Sequence, residues 1–199
     1  MKQTALLTPI LIAGCIIIML SFAVRASFGV FQIPVAEEFG WLRTEFSMAI
    51  ALQNLFWGIG QPIFGAIAEK ITDRKAILLG GLVYALGLVL SSSAVTPGAM
   101  QMYSILVGFG IAGTGFGVIL PALARMVSEE KRGLALGLGT AAGSFGQLLV
   151  IPVAQEFIAA YGWQITLLIL AGGSLSMLLL ARPFRNDGQQ SAVVSQEHD

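Results

Sequence analysis

AILLGGLVYALGLVLSSSAVTPGAMQMYSILVGFGIAGTGFGVILPALA, residues 76–124, contains no Asp, Glu, Lys or Arg. As one helix it would be about 70 Å long, more than twice the hydrocarbon thickness of a bilayer. It must therefore fold back once. The turn formers Ser91-Ser92-Ser93 and Pro97-Gly98 mark the place, which divides the stretch into spans near 76–93 and 99–122. The rest of the chain follows the same grammar. Apolar stretches run near 9–31, 46–68, 134–154 and 163–181, with Tyr161-Gly162 dividing the last two and Pro183 ending the final one. The reading is an all-α membrane protein of about six spans, occupying 1–183, with a polar tail from Phe184 to Asp199.

Composition agrees with this. Hydrophobic residues make up 56% of the chain and charged residues 11%, where a soluble domain carries roughly 25% charged. Lys+Arg and Asp+Glu both total 11, so no net field attracts polyanions, and a nucleic-acid partner is not expected. Cys15 is the single cysteine and His198 the single histidine, which argues against a disulfide framework or a metal centre. No cofactor motif stands out. Gly108-x-Gly110-x-x-Gly113 fits a dinucleotide fingerprint in letters only, since no strand precedes it. Without a nucleophile constellation or phosphate loop, enzymatic activity is not expected. The N-terminal apolar run is too long for a signal peptide, and Arg25 interrupts the region where a cleavage site would sit; a first transmembrane helix fits better.

Cations set the orientation, because cytoplasmic loops collect them. Lys2, Lys70, Arg74, Lys75, Arg125, Lys131, Arg132, Arg182 and Arg185 fall on one side of the alternating spans, and Arg43 alone falls on the other. Both termini are thus expected in the cytoplasm, in a bacterial inner membrane. Every Asp and Glu lies outside the expected spans, and Arg25 is the one ordinary charge inside them. A buried Arg costs about 3 kcal/mol on insertion scales, so it faces a partner or a watery cavity, or snorkels to the headgroups. It stays protonated, and its planar fork matches a carboxylate. That makes Arg25 the candidate ligand for a small organic anion.

Other polar residues in the spans mark the inner faces. Phe28 and Gln32 follow Arg25 at i+3 and i+7; Asn54 and Gln61 align on the second span; Tyr103 and Thr114 lie on the fourth; Thr140, Ser144 and Gln147 share one face of the fifth. Arg25, Phe28, Gln32, Asn54, Tyr103, Thr114, Thr140, Ser144 and Gln147 are accordingly the expected substrate-binding set. Interhelical hydrogen bonding is the alternative for each of them. Gly113-x-x-x-Gly117 and Gly139-x-x-x-Gly143 suit close helix packing. Pro34, Pro62, Pro121 and Pro152 serve either as hinges or as simple kinks and stops.

Two halves of the chain echo each other. Phe28-Gly29-Val30 precedes Pro34 and, further on, Gly60-Gln61; Phe116-Gly117-Val118 precedes Pro121 and, further on, Gly146-Gln147. Such an echo across three plus three helices reads as an inverted-topology repeat. The loop Gly65-Ala-Ile-Ala-Glu69-Lys70-Ile-Thr72-Asp73-Arg74-Lys75 resembles the signature of the major facilitator superfamily, G-x-x-x-D-R-x-G-R-K. Gly65, Glu69, Lys70 and Arg74 occupy matching positions; Thr72 and Asp73 depart from it. Arg25–Phe31, Phe39-Gly40-Trp41, Gly60-Gln61-Pro62, Lys131-Arg132-Gly133 and Tyr161-Gly162-Trp163 look like the monocarboxylate-porter and oxalate/formate-antiporter branch. The Arg that many members carry in the fourth span is missing, with Gly108 and Phe109 near its place.

The resemblance implies one half of a twelve-span fold, with spans 1, 2, 4 and 5 lining a cavity and 3 and 6 peripheral. It implies alternating-access transport of a small, monocarboxylate-like anion, by symport or antiport, with a C-terminal half or a second copy as partner in the lipid bilayer. It makes Gly65, Glu69, Lys70 and Arg74 a conformational latch. A truncated non-transporting membrane protein and a six-span homodimeric carrier or channel are the competing expectations.

Overall fold

The computed structural model describes residues 8–184. Lys2, Arg185, His198 and the tail expected beyond Phe184 lie outside them. The helices are α1 Pro9–Phe39, α2 Arg43–Lys70, α3 Asp73–Ser92, α4 Pro97–Thr114, α5 Phe116–Met126 and α6 Glu129–Leu180, followed by a short 3-10 turn, Arg182–Phe184. No strand occurs among the described residues.

Threonine starts three of these helices. The Thr8, Thr72 and Thr96 hydroxyls accept from the amides of Leu11, Lys75 and Ala99 at 3.2, 3.2 and 3.3 Å, satisfying donors that the first turn leaves open. Pro9 and Pro97 follow their caps directly, where the missing N–H costs nothing. At α2 the Glu45 carboxylate reaches back to the Leu42 amide, 2.8 Å. The chain turns between α3 and α4 after the serines, with α3 ending at Ser92 and α4 beginning at Pro97.

The segmentation differs from the expected one in two ways. The helices run past the expected spans, so Glu37, Glu38, Glu45 and Glu156 are helical. The fourth expected span is broken at Gly115, whose extended backbone (φ −99°, ψ −156°) separates α4 from α5. The stretch labelled α6 is two helices that meet at Gly162, whose backbone is non-helical (φ 81°, ψ 164°), at the place where Tyr161-Gly162 is expected to divide the last two spans. Among the described residues, four stretches are long and apolar enough to cross a membrane: Pro9–Phe39, Asp73–Ser92, Pro97–Met126 and Glu129–Leu180. α2 is not among them; Gln53, Asn54, Gln61 and its charged ends dilute its apolar character.

α1 packs along α6, α2 along α4, and α3 against both α4 and α6. Glycine makes the α3–α4 seam. A Cβ on Gly80 would lie 2.6 Å from the Gly113 Cα, and Gly110 fits directly against Tyr84. Gly139 and Gly143 do the same for α6, with Ile18 of α1 reaching both.

The only positive-φ residues described are Gly40, at 70°, and Gly162. Each sits between an aromatic residue and a tryptophan, Gly40 at the corner between α1 and α2 and Gly162 at the kink within α6. The corners touch. Phe39 stacks on Trp41 at 5.3 Å and meets the Trp163 ring edge-on at 6.1 Å. The Glu38 carboxylate accepts from Trp163 Nε1 at 2.5 Å and from Gln164 Nε2 at 3.1 Å.

Candidate functional site

Arg25 lies midway along α1 and points at α2. Its Nη2 and Nε donate to the Asn54 side-chain oxygen at 2.9 and 3.3 Å. The guanidinium carbon lies 4.8 Å from the centre of the Trp57 ring and 6.0 Å from that of Phe22, within cation–π range. Phe22 in turn packs on Trp57 and on Phe116 at the start of α5, 5.6 and 4.2 Å between ring centres. Three helices thus build an aromatic wall around one cation. Arg25 is half-buried, and among the described residues no carboxylate pairs with it.

One helical turn away, a set of neutral hydroxyls closes the floor. Ser21 and Thr114 share a hydrogen bond of 2.9 Å, and the Tyr84 hydroxyl donates to the Ser21 carbonyl at 2.8 Å. Thr114 also bonds the Gly110 carbonyl at 2.8 Å, immediately before the break at Gly115. All three side chains are fully buried. Tyr84 belongs to the third span, which the family resemblance makes peripheral; here its tip enters the core beside α1.

The expected residues divide accordingly. Arg25 and Asn54 meet, and Thr114 lies one turn from them. Phe28 has no described contact with Arg25 or Asn54: it is buried in the apolar core, its ring 6.2 Å from that of Phe31, in a cluster that includes Phe46 and Ala49 of α2. Gln32 serves the C-terminal end of α1 instead, donating to the Arg43 carbonyl at 3.0 Å and the Ser47 hydroxyl at 2.8 Å. Tyr103 packs beside the apolar core of α4. Thr140 and Gln147 bond back to the carbonyls of Leu136 and Gly143 in their own helix, 2.9 and 3.5 Å, while Ser144 is exposed beside them. A groove of about 590 Å³ between α1 and α6, lined by Ile12, Cys15, Leu138 and Phe145 among others, is apolar and lacks Arg25.

At the opposite end the latch residues take unexpected places. Gly65 holds no helix close, since a Cβ there would meet nothing within 4 Å. Glu69 and Lys70 are exposed, and Arg74 Nε is buried without a partner. The ion pair lies one register over: Arg125 Nη2 contacts both oxygens of Asp73 at 2.7 Å. Asp73 is the residue that departs from the signature, and Arg125 had been counted only as a topogenic charge. Trp57, Phe22, Ser21, Tyr84, Asp73 and Arg125 are the residues that sequence reasoning missed. For Trp57 a signal existed, since it lies one turn from Asn54 on the same helix.

Comparison with known proteins agrees on the lineage. A family model, Major Facilitator Superfamily, matches residues 14–198. Monocarboxylate transporter 13 of Rattus norvegicus is 30% identical over 80% of this chain and 37% of its own length. A voltage-gated purine nucleotide uniporter of Homo sapiens is 28% identical over 77% of this chain and 36% of its own. The inward-open xylose transporter XylE from E. coli superposes with a TM-score of 0.73 at 16% identity, over 87% of this chain and 47% of that one. The chain spans little more than a third of the length of the two relatives.

Proposed function

The chain belongs to the Major Facilitator Superfamily and is an integral membrane protein, and from that premise we propose that it forms the N-terminal half of a secondary transporter for small organic anions. In this reading six spans form a 3+3 inverted repeat, with α4 and α5 as one broken span and the two parts of α6 as the last pair. A C-terminal half or a second copy completes the central cavity. The termini face the cytoplasm, and the membrane is a bacterial inner membrane.

One observation carries the anion reading. Arg25 sits mid-helix in α1, held by a neutral amide and an indole face with no acidic partner among the described residues. A cation desolvated this far binds an anion strongly. Asn54 and Thr114 belong to the same pocket. Tyr103, Thr140, Ser144 and Gln147 line the cavity when the second half is present, and Phe28 and Gln32 support α1. Transport proceeds by rocking of the halves, with the segment around Gly65, Glu69, Lys70 and Arg74 latching one state and Asp73–Arg125 bracing it.

The test is uptake of radiolabelled L-lactate, pyruvate and oxalate into proteoliposomes holding the protein expressed from its full reading frame. Arg25→Ala and Arg25→Lys should both abolish uptake while membrane expression persists. Unchanged kinetics in both variants would overturn the anion reading.

A further inference from the structure

Arg25 and Asn54 are arranged in a way that anion binding alone does not require. A guanidinium offers two edges that fork onto a carboxylate: the side edge, Nε with Nη2, and the end, Nη1 with Nη2. Asn54 Oδ1 accepts from both nitrogens of the side edge, at 3.3 and 2.9 Å. Asn54 Nδ2 donates to the Ile50 carbonyl at 2.8 Å, which fixes which end of the amide faces the arginine. Trp57, one turn further along α2, covers one guanidinium face at 4.8 Å. Side edge and face are therefore both taken by neutral groups. The end carrying Nη1 has no hydrogen-bond partner among the described residues, and the cation keeps its full charge.

From this geometry we infer that Asn54 is a positioning residue: it pins Arg25 without neutralising it, so that a substrate carboxylate is taken end-on at Nη1 and Nη2. The inference rests on the anion reading above and deepens it. A carboxylate at position 54 would hold the arginine equally well and cancel its charge. An apolar residue would leave the charge and lose the pin. The neutral amide does both.

The test uses the same full-length protein and the same probes, with thermal unfolding measured alongside. Asn54→Asp should raise the KM for L-lactate by about 30-fold or more, equivalent to roughly 2 kcal/mol, while raising or preserving the unfolding temperature. Asn54→Leu, which retains the positive charge, should raise KM by about tenfold with a smaller change in kcat. A residue that merely ties α1 to α2 would behave in the opposite way: Asn54→Asp would strengthen the tie and leave KM untouched, and that result overturns the inference. Wild-type KM in Asn54→Leu overturns it as well. The two levels are separable. If Arg25→Ala abolishes uptake but the Asn54 variants transport like wild type, only the positioning role fails. If Arg25→Ala transports normally, or the wild type takes up none of the three probes saturably, the anion reading falls and the positioning role with it.

Discussion

Asp73 and Arg125, 52 residues apart, meet through a single nitrogen that contacts both carboxylate oxygens at 2.7 Å, tying the start of α3 to the end of α5. The pair is lopsided. The Asp73 side chain is 1% exposed and that of Arg125 38%. Asp73 also sits in the first turn of α3, where the helix favours a negative charge.

That asymmetry sets the first prediction. Arg125→Ala leaves a buried carboxylate unpaired and should cost about 2–3 kcal/mol. Asp73→Asn leaves an arginine that water can reach and should cost about 1 kcal/mol. Thermal unfolding in detergent should rank them in that order. Equal losses would mean that the pair is effectively solvated on both sides.

The glycines give a second prediction. Gly113→Ala would push a methyl against the Phe64 ring and the Gly80 backbone, and should cost several kcal/mol, about 2 or more on overpacking scales. Gly58 and Gly172 have open space at the same position, so Gly58→Ala and Gly172→Ala should gain up to about 1 kcal/mol of helix propensity. A neutral Gly113→Ala would show that the seam can open.

At the corners marked by Gly40 and Gly162, Glu38→Ala removes the acceptor for both Trp163 and Gln164. It leaves a largely buried indole N–H unpaired and should cost about 1–3 kcal/mol; Glu38→Gln, which keeps one acceptor, should cost less. Gly162→Ala strains a backbone at φ 81° and should cost about 1–2 kcal/mol. If both sets leave the unfolding temperature unchanged, the corners do not hold each other.

Orientation is testable without any substrate. In a Cys15→Ser background, Lys75→Cys and Val95→Cys place single thiols at exposed positions on opposite ends of α3. An impermeant maleimide added to intact cells should label the residue-95 thiol and spare the residue-75 thiol until the cells are opened. The reverse pattern would invert the topology read from the cations.

What the sequence made legible was whatever depends on local composition. The charge-free stretch at 76–124, the turn at the serines and the close packing at Gly113 and Gly139 all follow from residue type and spacing. The cost of burying them singles out Arg25 and Asn54, but that they pair emerges only in the bundle. The rest depends on which residues a bundle brings together across long separations. Asp73 looked like a defect in a motif because its partner lies on α5. Phe28 was assigned by spacing along α1 alone, and spacing does not say which neighbour a face meets. The break at Gly115 is not legible in the sequence, because its φ of −99° is open to any residue and leaves no mark in composition.

The seams between helices are of two mechanical kinds. Where Gly80 meets Gly113, backbone lies on backbone, and no side chain is available to rotate and let one helix travel past the other. α3 and α4 are thereby coupled like a single beam. Between α1 and α2 the described ties are made by side chains: Arg25 to Asn54, Gln32 to Ser47 and the Arg43 carbonyl, and the Phe22 ring on Trp57. Arg25 therefore sits at a seam tied through side chains, while the neighbouring α3–α4 seam is closed backbone on backbone.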